Sequence, residues 1–187
     1  MAQQQTRLNL YDNSWYNPGG TVLSRLIWYF INAIIFNSSL FPISSFKVLL
    51  LRFFGAKIGK GTVIKPNVNI KYPWKLEIDD FSWIGEEVWI DNLAKVQIGK
   101  NCCVSQGALL LCGNHNYSSS KFDLMIAEIH LENGAWIGAK SIVCPGTVVK
   151  THAVLSAGSI ARGILEPYSF YQGNPAVKIK ARTISDL

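Results

Sequence analysis

From Ile58 onward the chain repeats itself every six residues. Aligned on IGKGTV at Ile58, the frame continues as IKPNVN at Ile64 and IKYPWK at Ile70. After a two-residue slip it gives IDDFSW at Ile78, IGEEVW at Ile84 and IDNLAK at Ile90. A second slip leads to IGKNCC at Ile98, VSQGAL at Val104 and LLCGNH at Leu110. The frame resumes with LENGAW at Leu131, IGAKSI at Ile137, VCPGTV at Val143, VKTHAV at Val149, LSAGSI at Leu155 and ARGILE at Ala161. Fourteen of these fifteen hexads open on Ile, Leu or Val, Ala161 being the exception. Twelve carry Ser, Thr, Ala, Cys or Val at the fifth position, the exceptions being Trp74, Asn114 and Leu165. A period of six is neither helical nor a simple alternation; it fits a short strand followed by a corner, repeated. Three strands then make one coil of a triangular all-β solenoid. First-position aliphatics stack inside, and small fifth-position residues fit near the corners. Ile58, Ile78 and Ile98 lie 20 residues apart, which is three hexads plus a two-residue corner expansion.

Four segments follow from this frame: a polar arm over 1–21, an apolar segment over 22–55, the solenoid over 56–166, and a terminal segment over 167–187. The apolar run LIWYFINAIIF, residues 26–36, is 11 residues long, too short to span a bilayer. It and FKVLLLRFF, residues 46–54, read as short helices separated by a turn at Pro42. A solenoid end exposes unpaired strand edges and needs a cover, so these helices are expected to cap it or pack on another subunit. The alternative is shallow insertion in a membrane surface, with Arg25, Lys47 and Arg52 near head groups. No cleavable signal peptide is expected from the polar start. Hydrophobic residues make up 49% and charged residues 16%, enough for a packed core and not the balance of a disordered chain. The net charge of +6 favours anionic partners without naming one. Cys102, Cys103, Cys112 and Cys144 lack metal-ligand spacing and read as apolar filler in a reducing compartment.

Where the repeat fails, function is to be sought. Leu110 to Leu131 spans 21 residues where a regular step needs roughly eight, so about a dozen residues leave one corner as a loop, placed at 114–130. His115 stands at its root. The root of a loop on a rigid scaffold is a good position for a catalytic side chain, and a histidine titrates near neutrality.

Four ordered motifs narrow the class: Asn114-His115 before the loop, Trp136-Ile137-Gly138, Ala157-Gly158-Ser159, and Gly173-Asn174-Pro175-Ala176. With the hexads, they resemble the hexapeptide-repeat acyltransferases, including the maltose, galactoside and nodulation-factor O-acetyltransferases. FGAKIG (54–59), YPWKLEI (72–78) and the Ser-Gln-Gly-Ala run (105–108) are similar to the exopolysaccharide group, colanic-acid type. The resemblance covers nearly the whole chain. It implies a left-handed parallel β-helix, a homotrimer with sites between subunits, and acetyl transfer from acetyl-CoA to a sugar hydroxyl. By resemblance His115 is the general base and the backbone N–H of Ala139 the oxyanion donor, with no covalent intermediate and no metal. Gly138, Ala139, Ala157 and Gly158 would flank the pantetheine arm, Asn174 and Pro175 would shape the groove's end, and Lys178, Lys180 and Arg182 would meet the phosphates. Acceptor-side candidates are Asn114, Glu87, Asp91 and Asp123, with Asp123 also able to orient His115. The stretch Gly85-Glu86-Glu87 lacks the acceptor-site asparagine of the galactoside and maltose enzymes, so a different acceptor is implied. The implied acceptor is a surface-polysaccharide precursor, lipid-linked or polymeric, which gives residues 22–54 a use in peripheral contact with the cytoplasmic membrane face. No nucleic-acid partner is expected. The competing readings are N-acetyl transfer to an amino sugar and a non-catalytic scaffold; a zinc hydratase of the same fold is disfavoured by the spacing of His115, His130 and His152.

Overall fold

The fold is built from strands only two or three residues long, so each depends on the coils above and below for its backbone partners. A computed structural model describes residues 4–185. The strands form three parallel faces. The first contains Lys57–Ile58, Leu76–Ile78, Val96–Ile98, Ile129–Leu131, Val148–Val149 and Ile164–Leu165. The second contains Val63–Ile64, Trp83–Ile84, Cys103–Val104, Trp136–Ile137, Val154–Leu155 and Ser169–Gly173, closed by the antiparallel strand Ala176–Ala181. The third contains Asn69–Ile70, Trp89–Asp91, Leu109–Leu111, Ile142–Val143 and Ile160–Ala161. Register is set by the first-position residues: Ile58 pairs Ile78, Ile78 pairs Ile98, and Ile98 pairs Leu131. Nearly all are fully buried.

The fifth position is explained by the corners. Thr62, Ser82, Ser141, Thr147 and Ser159 are buried with Val68, Val88, Ala108, Ala135 and Ala153. Their hydroxyls are not left unpaired: Ser82 donates to the Gly99 carbonyl at 2.6 Å and Ser141 to that of Ser156 at 2.8 Å. No buried side-chain nitrogen or oxygen among the described residues lacks a partner. Glycine at the second position has an equally local reason. A Cβ on Gly59, Gly85, Gly99 or Gly138 would collide with the backbone or side chain of the next coil.

One frame differs from the sequence reading. ARGILE is not a full hexad: Leu165 pairs Val149 and is a first-position residue of the first face. Two residues are missing from that corner. The next hexad is LEPYSF, with buried Ser169 fifth and Tyr171 opening the following strand against Leu155.

Helices α1 (Val22–Ile31) and α2 (Ser44–Phe53), joined through a wider π turn at Asn32–Phe36, close the open end. Thr21 caps α1 by accepting from the Ser24 N–H. Each face of the first coil receives side chains from this cap. Arg52 donates to the Ile58 carbonyl at 2.7 Å, the Ser44 hydroxyl accepts from the Ile64 N–H, and Lys47 donates to the Lys65 carbonyl. On the third face, the Asn32 side chain accepts from the Ile70 N–H and the Trp28 indole donates to the Ile70 carbonyl at 2.8 Å. Lys47 is fully buried. Lys47 and Arg52 are therefore committed to the solenoid backbone and are not the head-group contacts the sequence suggested. The opposite faces of both helices, including Leu23, Leu26, Phe30, Ile34, Leu49 and Phe53, are exposed. No helix among the described residues is long and apolar enough to cross a membrane.

If α1 is a cap, its two faces must differ in energetic weight. Trp28→Ala should lower the unfolding free energy by about 3–5 kcal/mol, whereas Leu23→Ser on the exposed face should change it by about 0.5 kcal/mol or less. Chemical denaturation of both variants checks this, and equal losses would contradict the cap.

Candidate active site

The three faces meet at three columns of corners, and the candidate residues are divided among them. Residues 112–128 leave the corner that joins the third face to the first. They form an antiparallel hairpin, Gly113–His115 against Leu124–Ile126, with His115 opposite Leu124. The loop thus begins before residue 114 and has its own sheet structure. The same corner is expanded in the two preceding coils by residues 71–75 and 92–95. The three expansions stack into one ridge.

His115 is held on two sides. Its Nδ1 lies 2.9 Å from the Phe122 carbonyl, and its ring stacks on that of Phe122 with centroids 4.3 Å apart and planes 8° apart. A carbonyl can only accept, so Nδ1 carries the proton in this contact and Nε2 keeps the basic lone pair of the neutral ring. The backbone carbonyl of Phe122 orients the ring; Asp123, proposed for that task from the sequence, makes no side-chain bond to His115 and uses its own carbonyl to accept from Asn116. Asn114 is exposed and accepts from the His115 N–H at 2.8 Å.

The residues missed by sequence reasoning lie in the polar arm. It folds across the ridge: the Arg7 N–H donates to the Ser120 carbonyl, the Tyr16 hydroxyl to the Leu93 carbonyl, and the Trp74 indole to the Pro18 carbonyl. Gly19 passes so close to Trp74 that a Cβ would strike the indole, and its φ of +77° suits glycine. Lys75 anchors the arm through the Tyr16 hydroxyl and the Asn17 carbonyl, with its ammonium 4.6 Å from the Tyr16 ring centre. Burial holds the Lys75 ammonium below its usual range and pushes the Tyr16 phenol well up. The result is an open cavity of about 470 Å³ whose lining includes Tyr11, Asn13, Tyr16, Lys71, Tyr72 and His115. The Tyr11 ring lies 5.6 Å from that of His115. The only sequence signal for this was the spacing of the corner expansions, which stack 20 residues apart beneath the hairpin.

The remaining candidates separate by corner. Asp91 ends a third-face strand beside the ridge, is buried, and pairs with Lys71 at 2.8 Å. Glu87 stands exposed at the corner between the second and third faces, with φ of +60°. That same column holds Ala139, Ala157 and Gly158, and the turn Asn174-Pro175 follows the last second-face strand at its end of the solenoid. Gly138 is buried, and a Cβ on it would strike the backbone of Leu155, Ser156 and Ala157 in the next coil. Ala157 and Gly158 are exposed, and a Cβ on Gly158 would meet nothing within 4 Å. The N–H of half-exposed Ala139 has no partner among the described residues, and the same holds for Glu86, Gln106 and Ala157 in this column, whereas Lys60 and Lys100, at the corner between the first and second faces, donate to Asp80 and Asn133. Lys178 and Lys180 are exposed on the closing strand. Arg182 is engaged elsewhere: its guanidinium donates to the Gly134 and His152 carbonyls at the corner between the first and second faces, and does not join the other two cations.

The cysteines are free thiols. Burial pushes Cys112 up to about 12 and Cys102 up to about 11, so neither is a thiolate nucleophile at neutral pH. His130 lies beside Glu128, His152 packs on Tyr168, and no metal-ligand cluster occurs among the described residues.

No protein-family model matches the chain. A curated relative does: WcaF of Escherichia coli strain K12, described by inference as a colanic acid biosynthesis acetyltransferase, is 35% identical over 164 residues, covering 88% of this chain and 90% of WcaF. The chain belongs to the WcaF family of acetyltransferases. Its fold is the left-handed parallel β-helix of hexapeptide repeats. The acetyltransferase VCA0836 of Vibrio cholerae, solved with acetyl coenzyme A, superposes with a TM-score of 0.78 at 18% identity, over 87% of this chain and 88% of that one. A galactoside acetyltransferase solved with coenzyme A gives 0.76 at 22% identity, over 86% and 82%. At these identities the solved structures speak for the fold alone. The family relationship carries the enzyme class: this acetyltransferase places a histidine on a hairpin beside a polar cavity.

Proposed function

We propose that this WcaF-family protein transfers the acetyl group of acetyl-CoA to a hydroxyl of a saccharide acceptor in surface or exopolysaccharide biosynthesis. The observation that carries the reading is the held imidazole of His115, proton on Nδ1 and lone pair on Nε2, at the edge of a cavity lined by tyrosines, Asn13 and Lys71. The acceptor hydroxyl gives its proton to Nε2 as its oxygen attacks the thioester carbonyl. The tetrahedral oxyanion forms and is met by the Ala139 N–H, an unpaired donor that needs no reorganisation. Collapse breaks the carbon–sulfur bond, and the imidazolium returns the proton to the leaving thiolate. The acetyl group ends on oxygen with no enzyme-bound intermediate. Ala157, Gly158, Asn174 and Pro175 would flank the pantetheine arm, with Lys178 and Lys180 toward the phosphates.

The donor and acceptor elements lie on different corners of one chain. His115 belongs to the corner between the third and first faces, and Ala139 to that between the second and third. A homotrimer would bring the His115 corner of one copy to the Ala139 corner of its neighbour. The exposed apolar faces of α1 and α2 would rest on the cytoplasmic membrane face, near a lipid-linked or polymerising acceptor. A helix apolar on both sides needs a second partner, and the solenoid covers only one side.

His115→Ala should lower kcat by roughly 10²–10⁴ with little change in protein stability. Assay with acetyl-CoA and saccharide acceptors checks this, and full activity would defeat the mechanism. In liposome flotation the full chain should rise with anionic vesicles, and a variant with Leu23, Phe30 and Phe53 all changed to Ser should not; equal recovery of the two removes the membrane reading.

A further inference from the structure

A second cavity, of about 490 Å³, lies between α1 and the third face; its lining includes Arg25, Tyr29, Asn37, Asn69, Lys71 and Trp89. Lys71 and Tyr72 line both this cavity and the one at His115, so the two are neighbours across these side chains. The chemistry of the second cavity is not that of a lipid groove. Tyr29 and Trp89 keep 67% and 45% of their surface exposed, offering flat apolar faces, and Asn37 and Asn69 line the same cavity, the Asn69 oxygen accepting from the Asn32 amide. Flat aromatic faces with interspersed amides suit the C–H face and hydroxyl rim of a sugar ring. Arg25 adds the discriminating element. It is half-buried at this cavity and its guanidinium makes no hydrogen bond or ion pair among the described residues, unlike those of Arg52 and Arg182, which are engaged by carbonyls. Lys71 is already paired with Asp91. The one uncommitted cation here is therefore Arg25, and a planar guanidinium matches a carboxylate or phosphate in bidentate fashion.

We infer that this cavity is an acceptor subsite for a second sugar unit bearing an anionic substituent, which Arg25 recognises while the neighbouring unit reaches His115. The inference rests on the proposed saccharide acceptor, but its binding does not require catalysis. The anion is either the carboxylate of a uronic acid or a phosphate at the reducing end.

Isothermal titration calorimetry on the full chain without acetyl-CoA tests it, using cellobiose, cellobiouronic acid and cellobiose 1-phosphate as probes. One anionic probe should bind about tenfold or more tightly than cellobiose at low salt, and which one does so identifies the anion. Arg25→Gln should abolish that margin, Arg25→Lys should keep most of it, and Trp89→Ala should weaken all three probes. His115→Ala should leave the margin between the anionic probe and cellobiose unchanged, whatever it does to the affinities themselves, so loss of the catalytic reading and loss of the subsite are separately visible. Anionic probes that bind no tighter than cellobiose, or a margin that survives Arg25→Gln, would overturn the inference.

Discussion

The structure depends on backbone hydrogen bonds made between coils. A strand of two residues has no stability of its own, so every coil needs another above and below it. The interior pattern follows: aliphatic residues stack in register, hydroxyls at the fifth position bond the next coil, and glycines at the second let coils approach. The first and last coils must be closed by something else. At one end the closure is made by side chains, with Arg52, Ser44, Lys47, Asn32 and Trp28 reaching all three faces. At the other the returning strand Ala176–Ala181 pairs the last second-face strand, and the Arg182 guanidinium beyond it donates to the corner carbonyls of Gly134 and His152. Three of the chain's cations are thus structural, and the net positive charge says less about ligands than it first suggests.

Because the faces are uniform, differences accumulate at the corners. One column is expanded in successive coils until it becomes the His115 hairpin, and the arm of residues 7–18 is strapped across it by Lys75, Trp74 and Leu93. Another column is pared down to Ala139, Ala157 and Gly158, with an unpaired N–H and open space beside it. A bulky corner able to enclose an acceptor and a smooth corner able to admit an extended donor are complementary, but a single chain keeps them apart.

The solenoid was legible in the sequence because its packing rule is local: Ile64 or Ala135 reports its environment by residue type alone. The break at His115 was legible for the same reason, as a failure of the rule. The last coil was misframed because a two-residue deletion shifts Leu165 from fifth to first position, and its misfit at the fifth was the sign of that shift. The roles of Lys47 and Arg52 were not legible. A cation within an apolar helix reads equally as a head-group contact or a carbonyl donor until the partner backbone is known. The same limit hid Arg182, and it hid Phe122, which orients His115 through a main-chain oxygen that no side chain advertises. The arm carries aromatic and polar residues without periodicity, so nothing in it pointed to the cavity it completes.

In the proposed trimer each active site is shared, with His115 from one copy and the Ala139 N–H from the next. Proline removes that N–H at little structural cost, since Pro66 and Pro145 already occupy the same hexad position. His115→Ala and Ala139→Pro chains should each be inactive alone. Assembled together at equal ratio, they should recover about one quarter of wild-type activity, because random pairing joins one intact His115 corner to one intact Ala139 corner at that frequency. Mixed assemblies with no activity above either parent would exclude a site shared between copies.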